Sequence, residues 1–146
     1  MSSKPELIIS FPGNKRVDAL FNGHLIRTDQ SKLGGGDSSA PEPYALFLSS
    51  IGTCAGIYVL GFLQARGLPT EGVQLKQRLD FDPVTRVLSR VELDIELPQT
   101  IPAKYHDAIV RSADMCAVKK AIQAQPEFDV HVTVTDQVTA QLGAVA

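Results

Sequence analysis

An uncharged run of twenty residues, YALFLSSIGTCAGIYVLGFL at positions 44–63, limits what this chain can fold into more than any other feature. About 20 apolar residues can span a bilayer, and Gly52 and Gly56 form the small-xxx-small pair typical of packed membrane helices. The sequence on both sides has the patterns of half-buried strands and amphipathic helices. A membrane span would divide that material into two pieces, each poorly able to fold alone. A helix apolar on all sides also forms the centre of a soluble core, so we predict a soluble protein with no membrane partner.

The composition is that of one soluble globular domain over residues 1–146, since 44% of the residues are hydrophobic and 21% are charged. Lysine plus arginine number 14 and aspartate plus glutamate 16, so the formal net charge is −2 and no basic excess exists for binding nucleic acid. The apolar stretch at residues 7–9 is too short for the core of an export signal. We therefore expect a cytoplasmic protein, in whose compartment thiols stay reduced.

A hairpin is predicted before the uncharged run. Residues 17–21 and 24–28 are separated by Asn22 and Gly23, a strong signal for a type I′ turn. Residues 29–43 then contain two prolines and three consecutive glycines, which indicate a loop. No Lys-Ser or Lys-Thr follows the glycines, so they do not form a phosphate-binding loop, and we interpret them as a flexible hinge.

The long helix is predicted to begin at Pro43, where a missing N–H has no helical partner to lose. Ser39 and Glu42 have the spacing of a capping box, which allows a slightly earlier start. The helix is predicted to run to about Arg66, with Gly67 as its C-terminal stop.

A second, longer hairpin is predicted after the helix. Residues 73–81 and 87–97 alternate apolar and polar side chains around a turn at residues 82–85, with Gln77 as the exception on the apolar side. A helix start follows at Thr100 and Pro102.

Two further elements complete the predicted order. Asp114 is predicted to cap a short helix from Met115 to about Gln123, and residues 128–135 alternate as a last strand. Strands and helices do not alternate one for one, so the fold class is α+β with antiparallel sheet. One sheet covers only one face of the long helix, and we expect a symmetric homodimer to cover the rest.

Cys54 lies in the middle of the apolar helix among small residues. On composition alone it is interpreted as a buried structural cysteine, because cysteine packs as a small hydrophobic residue. Burial would raise the pKa of its thiol and leave it inert unless a cation lies nearby.

Cys116 has a different setting, because it is predicted in the first turn of a short helix. Free N–H groups and the positive end of the helix dipole stabilise a thiolate there, Lys119 and Lys120 act in the same direction, and Asp114 opposes them. The two cysteines are 62 residues apart and no CxxC or CxxH spacing exists, so no metal site is predicted.

A resemblance emerges from the stretch GGGDSSAPEPYALFLSSIGTCAGIYVLGFLQARGL together with MCAVKKAI further on. These segments resemble the OsmC/Ohr family, the relatives of osmotically inducible protein C and organic hydroperoxide resistance protein. The family pattern is a glycine-rich loop, a proline, a long central helix bearing a cysteine, a strand hairpin, and a second cysteine that opens a short helix. The resemblance extends over roughly residues 30–135 and agrees with the order of elements predicted above.

The resemblance implies an intertwined α+β homodimer with its active site at the subunit interface. It also implies a thiol peroxidase that reduces organic hydroperoxides in oxidative-stress defence, with Cys54 as the peroxidatic and Cys116 as the resolving cysteine. An external dithiol, a lipoylated protein in some relatives, would restore the pair, and no metal, haem, flavin or other cofactor is needed.

The sequence departs from the family pattern next to the helix start. Well-studied peroxidases of the family have a glutamate directly after the proline, which helps to hold an arginine against the peroxidatic thiolate, whereas this chain has Tyr44 there and Glu42 two residues earlier. Arg16 and Arg27 are candidates for that arginine, although neither aligns with it. Ala117 follows Cys116, where many relatives have proline.

Two alternatives to the peroxidase therefore stay open. One is an OsmC-like dimer without efficient peroxidase activity that binds a small hydrophobic ligand at an interface pocket lined by Tyr44, Phe47 and Tyr58. The other is a soluble dimer with two unrelated buried cysteines, which predicts that the sulfur atoms of Cys54 and Cys116 lie far apart.

Overall fold

The computed structural model describes residues 3–136, which form two compact units. Residues 3–47 and 128–136 belong to the first unit, and residues 48–127 form the second. The prediction of one domain over residues 1–146 extends beyond the described residues and stays a prediction.

The first unit contains an antiparallel three-stranded sheet. Its strands are β1 (Ile8–Gly13), β2 (Arg16–Phe21) and β3 (His24–Ile26), in the order β1-β2-β3. Asn22 and Gly23 connect β2 to β3 with positive φ angles of 49° and 78°, as a type I′ turn requires. The predicted hairpin is therefore confirmed, while β1 was not predicted because only a short apolar triplet marks it.

The glycine-rich loop forms an ordered turn around a buried carboxylate. Asp29 accepts backbone N–H bonds from Gln30 at 2.8 Å, Asp37 at 3.3 Å and Ser39 at 3.0 Å, and the Ser39 hydroxyl donates to it at 2.6 Å. A Cβ atom at Gly36 would lie 2.2 Å from the Gln30 carbonyl oxygen. The flexible-hinge interpretation is thus wrong, because glycine is needed here for a close approach of two backbone segments.

The long helix α1 (Pro43–Ala65) begins and ends as predicted. The capping box predicted between Ser39 and Glu42 does not form. The Ser39 hydroxyl donates to Asp29 instead, and the carboxylate of Glu42 accepts the N–H of Ser31. At the other end Gly67 adopts a φ of 62°. Leu68 donates its N–H to the Leu63 carbonyl, which is the Schellman arrangement.

The second unit contains the second predicted hairpin and two short helices. Strands β4 (Gln74–Phe81) and β5 (Leu88–Glu96) pair antiparallel, followed by α2 (His106–Ala113) and α3 (Ala117–Ala124). Thr100 and Pro102 precede a 3-10 turn, Ala103–Tyr105, that leads into α2.

One stripe of α1 forms the centre of the core of this unit. Its residues recur every four positions, Ile51, Ala55, Val59 and Leu63, and all are buried. Ile101, Ile109 and Cys116 form one core cluster with the last three of these residues, Ala55, Val59 and Leu63. Length and apolar composition alone would let α1 cross a membrane, a property that it shares with core helices of soluble proteins.

The predicted last strand is wrong for this chain. Residues 128–135 form no regular secondary structure, and their apolar side chains are almost fully exposed, Val130 to 90%. A strand requires a hydrogen-bonded neighbour, and among residues 3–136 the two sheets end at β1, β3, β4 and β5 without pairing to this segment.

Candidate functional site

The structure brings the two cysteines together in the second unit. Cys54 lies on a half-buried flank of α1, while Cys116 is 1% exposed and belongs to the core beside α1. The Cys116 side chain is hydrogen-bonded to the Cys54 sulfur. The hypothesis of two unrelated, distant cysteines is therefore not supported by their placement.

Cys116 is the N-cap of α3, and this corrects the prediction that Asp114 caps the helix. Its backbone is non-helical, with φ −48° and ψ 121°, and its sulfur accepts the N–H of Lys119 at 3.4 Å. Asp114 instead ends α2, and its carboxylate pairs with the side-chain ammonium of Lys119. The N-cap is the residue with non-helical backbone that flanks the first turn, and its side chain commonly accepts one of the free N–H groups of that turn, as the Cys116 sulfur does here.

The N-terminal turn of α3 points its free N–H groups at Cys54. The N–H of Val118, then the Cys116 thiol, and also the N–H of Ala117 hydrogen-bond the Cys54 sulfur and lower the pKa of its thiol below the ordinary value. Partial burial acts in the opposite direction. The N–H groups at the N-terminus of α3 therefore stabilise a thiolate mainly at Cys54, whereas the sequence analysis expected them to stabilise one at Cys116.

No arginine is among the groups that lower the pKa of the Cys54 thiol. Arg16 in β2 and Arg27 after β3 are exposed residues of the first unit. Backbone N–H groups and a neighbouring thiol lower the pKa of the Cys54 thiol, an effect that the sequence analysis expected from a cation.

The Cys116 thiol has a second acceptor on α1. Its sulfur lies 3.8 Å from the carbonyl oxygen of Ile51, one turn before Cys54. A thiol has a single proton, so Cys116 donates either to Ile51 or to Cys54 at any moment. A negative charge on Cys54 favours the second arrangement, because hydrogen bonds to charged acceptors are the stronger ones.

A cavity of about 710 Å³ lies next to this pair, between β5, α2 and α3. Most of its wall is apolar, and Cys116, Asp114 and Lys119 also contribute to it. Tyr44, Phe47 and Tyr58, the predicted pocket residues, do not line this cavity. The rings of Tyr44 and Phe47 stack on each other instead, with centroids 5.7 Å apart.

Residues 3–136 contain no group of three or more histidine, cysteine, aspartate or glutamate side chains arranged to hold a metal ion.

Comparison with known proteins identifies one matching family. Residues 35–131 match the family model described as OsmC-like protein. None of the curated protein sequences matches the chain.

Solved structures share the fold at low sequence identity. One is from Psychrobacter arcticus and is named for an osmotic stress induced and detoxification response. It is 19% identical to this chain, with a TM-score of 0.68 over 83% of this chain and 90% of that one. An OsmC-like protein from Mycoplasma pneumoniae is 14% identical, with a TM-score of 0.62 over 86% and 91%. An OsmC-like protein of unknown function from Vibrio cholerae is 10% identical, with a TM-score of 0.58 over 82% and 94%. At such identities these likenesses establish the α+β fold and no activity.

Proposed function

The chain belongs to the OsmC-like protein family, and we propose that it is a thiol-dependent peroxidase that reduces organic hydroperoxides, with Cys54 as the attacking and Cys116 as the resolving cysteine. The observation on which the proposal rests is the convergence of three hydrogen-bond donors on the Cys54 sulfur. A thiolate is the reactive form of cysteine, and donors at a helix N-terminus raise its population at neutral pH.

The proposed first step oxidises Cys54. Its thiolate attacks the distal oxygen of the hydroperoxide, the O–O bond breaks, and the alkoxide leaves and takes a proton to become an alcohol. Cys54 then holds a sulfenic acid. The half-buried position of Cys54 leaves its sulfur within reach of a small peroxide, in contrast to that of Cys116.

The proposed second step forms a disulfide. The Cys116 sulfur attacks the sulfenic sulfur of Cys54 and water leaves with the Cys116 proton. The side-chain hydrogen bond between the two cysteines supports this role, because it holds the sulfurs next to each other before oxidation. An external dithiol then returns the pair to the reduced state by exchange.

Peroxide consumption tests the proposal directly. Purified protein with a dithiol is mixed with cumene hydroperoxide or hydrogen peroxide, and wild type, Cys54→Ser and Cys116→Ser are compared. We expect wild-type turnover with preference for the organic peroxide, complete loss in Cys54→Ser, and in Cys116→Ser a sulfenic acid at Cys54 that no longer forms a disulfide. Equal rates in all three proteins would reject the peroxidase.

Ligand binding without peroxidase activity is the second candidate, and the apolar cavity beside Cys116 favours it. Cavities of this size with mostly apolar walls are typical of sites for small hydrophobic molecules. A fluorescent apolar probe that binds wild type and Cys54→Ser equally, in a protein without turnover, would support this candidate over the first.

A further inference from the structure

The two cysteine sulfurs are close enough to bind the same ion. The Cys116 thiol is hydrogen-bonded to the Cys54 sulfur, and in this arrangement its proton lies between the two sulfur atoms. Zinc–sulfur bonds are about 2.3 Å long, and at such lengths two sulfurs on one ion stand up to about 4.6 Å apart. A hydrogen bond between two sulfurs is shorter than that, so a metal ion in place of the proton would bridge the same two atoms.

The side chains around the pair determine which ion it suits. Within residues 3–136 the two cysteines belong to no larger group of histidine, cysteine, aspartate or glutamate ligands. Structural zinc requires four such ligands, so the pair alone does not make a zinc site. Thiolate sulfur is a soft ligand that selects Cu(I). This ion is satisfied by as few as two thiolates, and it carries the same single positive charge as the proton that it replaces.

Backbone N–H groups suit the charge that such a centre carries. Two thiolates and one Cu(I) ion together bear one negative charge. The N–H groups of Val118 and Ala117 donate to the Cys54 sulfur, and the N–H of Lys119 donates to the Cys116 sulfur at 3.4 Å. Hydrogen bonds to ligating atoms orient them and tune the metal, and here they reach both sulfurs.

The different burial of the two cysteines allows an ion to enter and then shields it. Cys54 is half-buried, so its sulfur is the one that a copper donor in solution meets first. Cys116 is 1% exposed and belongs to the core cluster with Ala55 and Ile109. An apolar shell of this kind controls the access of solvent to a bound metal.

Distance, ligand type and hydrogen bonding agree, and we propose that the reduced cysteine pair binds one Cu(I) ion between the sulfurs of Cys54 and Cys116. Two S–Cu bonds form, the sulfurs release the protons that they hold to water, and no electron is transferred. The inference goes beyond the proposed function and does not depend on it, since it requires the two thiols and no reaction with peroxide.

Competition with a coloured chelator tests the site. Reduced protein is titrated without oxygen into the Cu(I) complex of bicinchoninate, and the loss of absorbance measures the copper that the protein takes up. We expect wild type to take up a single Cu(I) ion per chain and both Cys54→Ser and Cys116→Ser to lose this uptake. No uptake by wild type, or full uptake by either variant, would overturn the inference.

Three controls address the fold and the ligands. Cys116→Ala keeps an apolar side chain in the core and should lose the uptake as Cys116→Ser does, with an unchanged circular dichroism spectrum. Wild type oxidised by diamide has the native sequence without free thiols and should take up no copper. Met115→Leu removes the thioether next to Cys116, at a residue that is 54% exposed, and should bind copper as wild type does. Uptake by the oxidised protein, or its loss in Met115→Leu, would contradict a site made of two thiolates.

X-ray absorption at the copper edge identifies the ligands directly. We expect two sulfur neighbours and no nitrogen or oxygen neighbour, and we expect no uptake of Zn(II) by the cysteine pair in the same protein. A nitrogen or oxygen neighbour, or zinc bound through these cysteines, would refute the assignment. Peroxide turnover of the copper-free protein is measured separately, so failure of the peroxidase and failure of the copper site are distinguishable.

Discussion

The side-chain amide of Gln77 in β4 donates a hydrogen bond of 2.9 Å to the backbone carbonyl oxygen of Leu48 in α1. The contact is possible because Gly52 has no side chain: a Cβ atom there would lie 2.6 Å from the Gln77 side-chain oxygen. Gln77 is the polar exception on the apolar side of the hairpin because its side chain hydrogen-bonds α1, the helix that bears Cys54.

Gly52→Ala is the first prediction, with Gly56→Ala as its matched control. Nothing lies within 4 Å of a Cβ atom at Gly56, so alanine there should stabilise the protein by about 1 kcal/mol through helix propensity. At Gly52 the same gain is offset by about 1 kcal/mol, because the Gln77 side chain must swing away and lose its hydrogen bond. Urea denaturation should therefore find Gly52→Ala less stable than Gly56→Ala.

The difference between the two variants should disappear in a Gln77→Ala background, where no side chain opposes the new methyl group. A difference of the same size with and without Gln77 would show that the hydrogen bond is not its cause.

Local patterns were sufficient to predict most of the elements from the sequence. The Asn22–Gly23 turn, the start of α1 at Pro43 and its end at Gly67 each depend on residues within one or two turns of chain. The role of Gln77 was not predictable in this way, since its partner Leu48 is 29 residues away and the acceptor is a backbone atom.

The candidate site shows the same limit. Both cysteines were identified from the sequence, and the structure places them side by side. Two of the three donors that lower the pKa of Cys54 are backbone N–H groups, those of Val118 and Ala117, whose side chains give no sign of this role. With Cys116 as the N-cap in place of Asp114, these N–H groups bond the Cys54 sulfur. Cysteine is not among the residues preferred at an N-cap, so residue preferences do not predict this start of α3.

The pH profile of Cys54 alkylation is the second prediction. Because backbone N–H groups and the Cys116 thiol lower its pKa, the Cys54 thiolate forms at lower pH than that of an ordinary cysteine, and the rate of reaction with iodoacetamide should rise through a lower midpoint than in a free cysteine peptide. Quantifying the tryptic peptide of residues 33–66 isolates Cys54 from Cys116.

Two variants at Cys116 test the cause of that midpoint. Cys116→Ala removes the side-chain donor and should move the midpoint to higher pH, while Cys116→Ser keeps a hydroxyl donor and should move it less. A wild-type midpoint at or above that of a free cysteine peptide, measured under the same conditions, would contradict the lowered pKa.

Ala117→Pro is the third prediction. Ala117 is the first helical residue of α3, a position that accepts proline, and Cys116 before it is non-helical with a ψ of 121°, which a following proline favours. The fold should survive with a stability change within about 1 kcal/mol. The lost N–H is the smallest of the three donors to Cys54, so the alkylation midpoint should rise less than in Cys116→Ala.

Val118→Pro makes the contrasting change. It removes the largest donor, and it also places proline after helical Ala117, whose conformation proline disfavours. We expect loss of both the low alkylation midpoint and the helical first turn of α3, seen as faster hydrogen exchange at residues 117–124.

Acid unfolding of Asp29→Asn is the fourth prediction. The Ser39 hydroxyl, followed by backbone N–H groups, lowers the Asp29 pKa to about 2, below its ordinary value. A lowered folded pKa stabilises the protein above about pH 4, and this stabilisation is lost as the pH falls through about 2. The variant should be less stable at pH 7 and should lose this acid dependence, as measured by thermal melts from pH 2 to about pH 7.

Asp18→Asn provides the control for that experiment. Asp18 is also buried, yet it accepts a single N–H bond of 3.4 Å, from Thr28. A loss of stability as large as in Asp29→Asn would mean that burial of an aspartate, and not the set of donors around Asp29, determines the effect.

Self-association through residues 128–134 is the last prediction. Phe128, Val130, Val132 and Val134 lie on one parity and are 88–90% exposed, so the segment has the pattern of a strand without the neighbour that a strand needs. The family resemblance implies a homodimer, and we propose that these side chains are buried in it. Val130→Asp and Val132→Asp should each weaken dimerisation tenfold or more, about 1.4 kcal/mol, in analytical ultracentrifugation, whereas Thr133→Asp on the opposite parity should not. Equal effects of all three variants, or a wild-type monomer at high concentration, would contradict burial of this face.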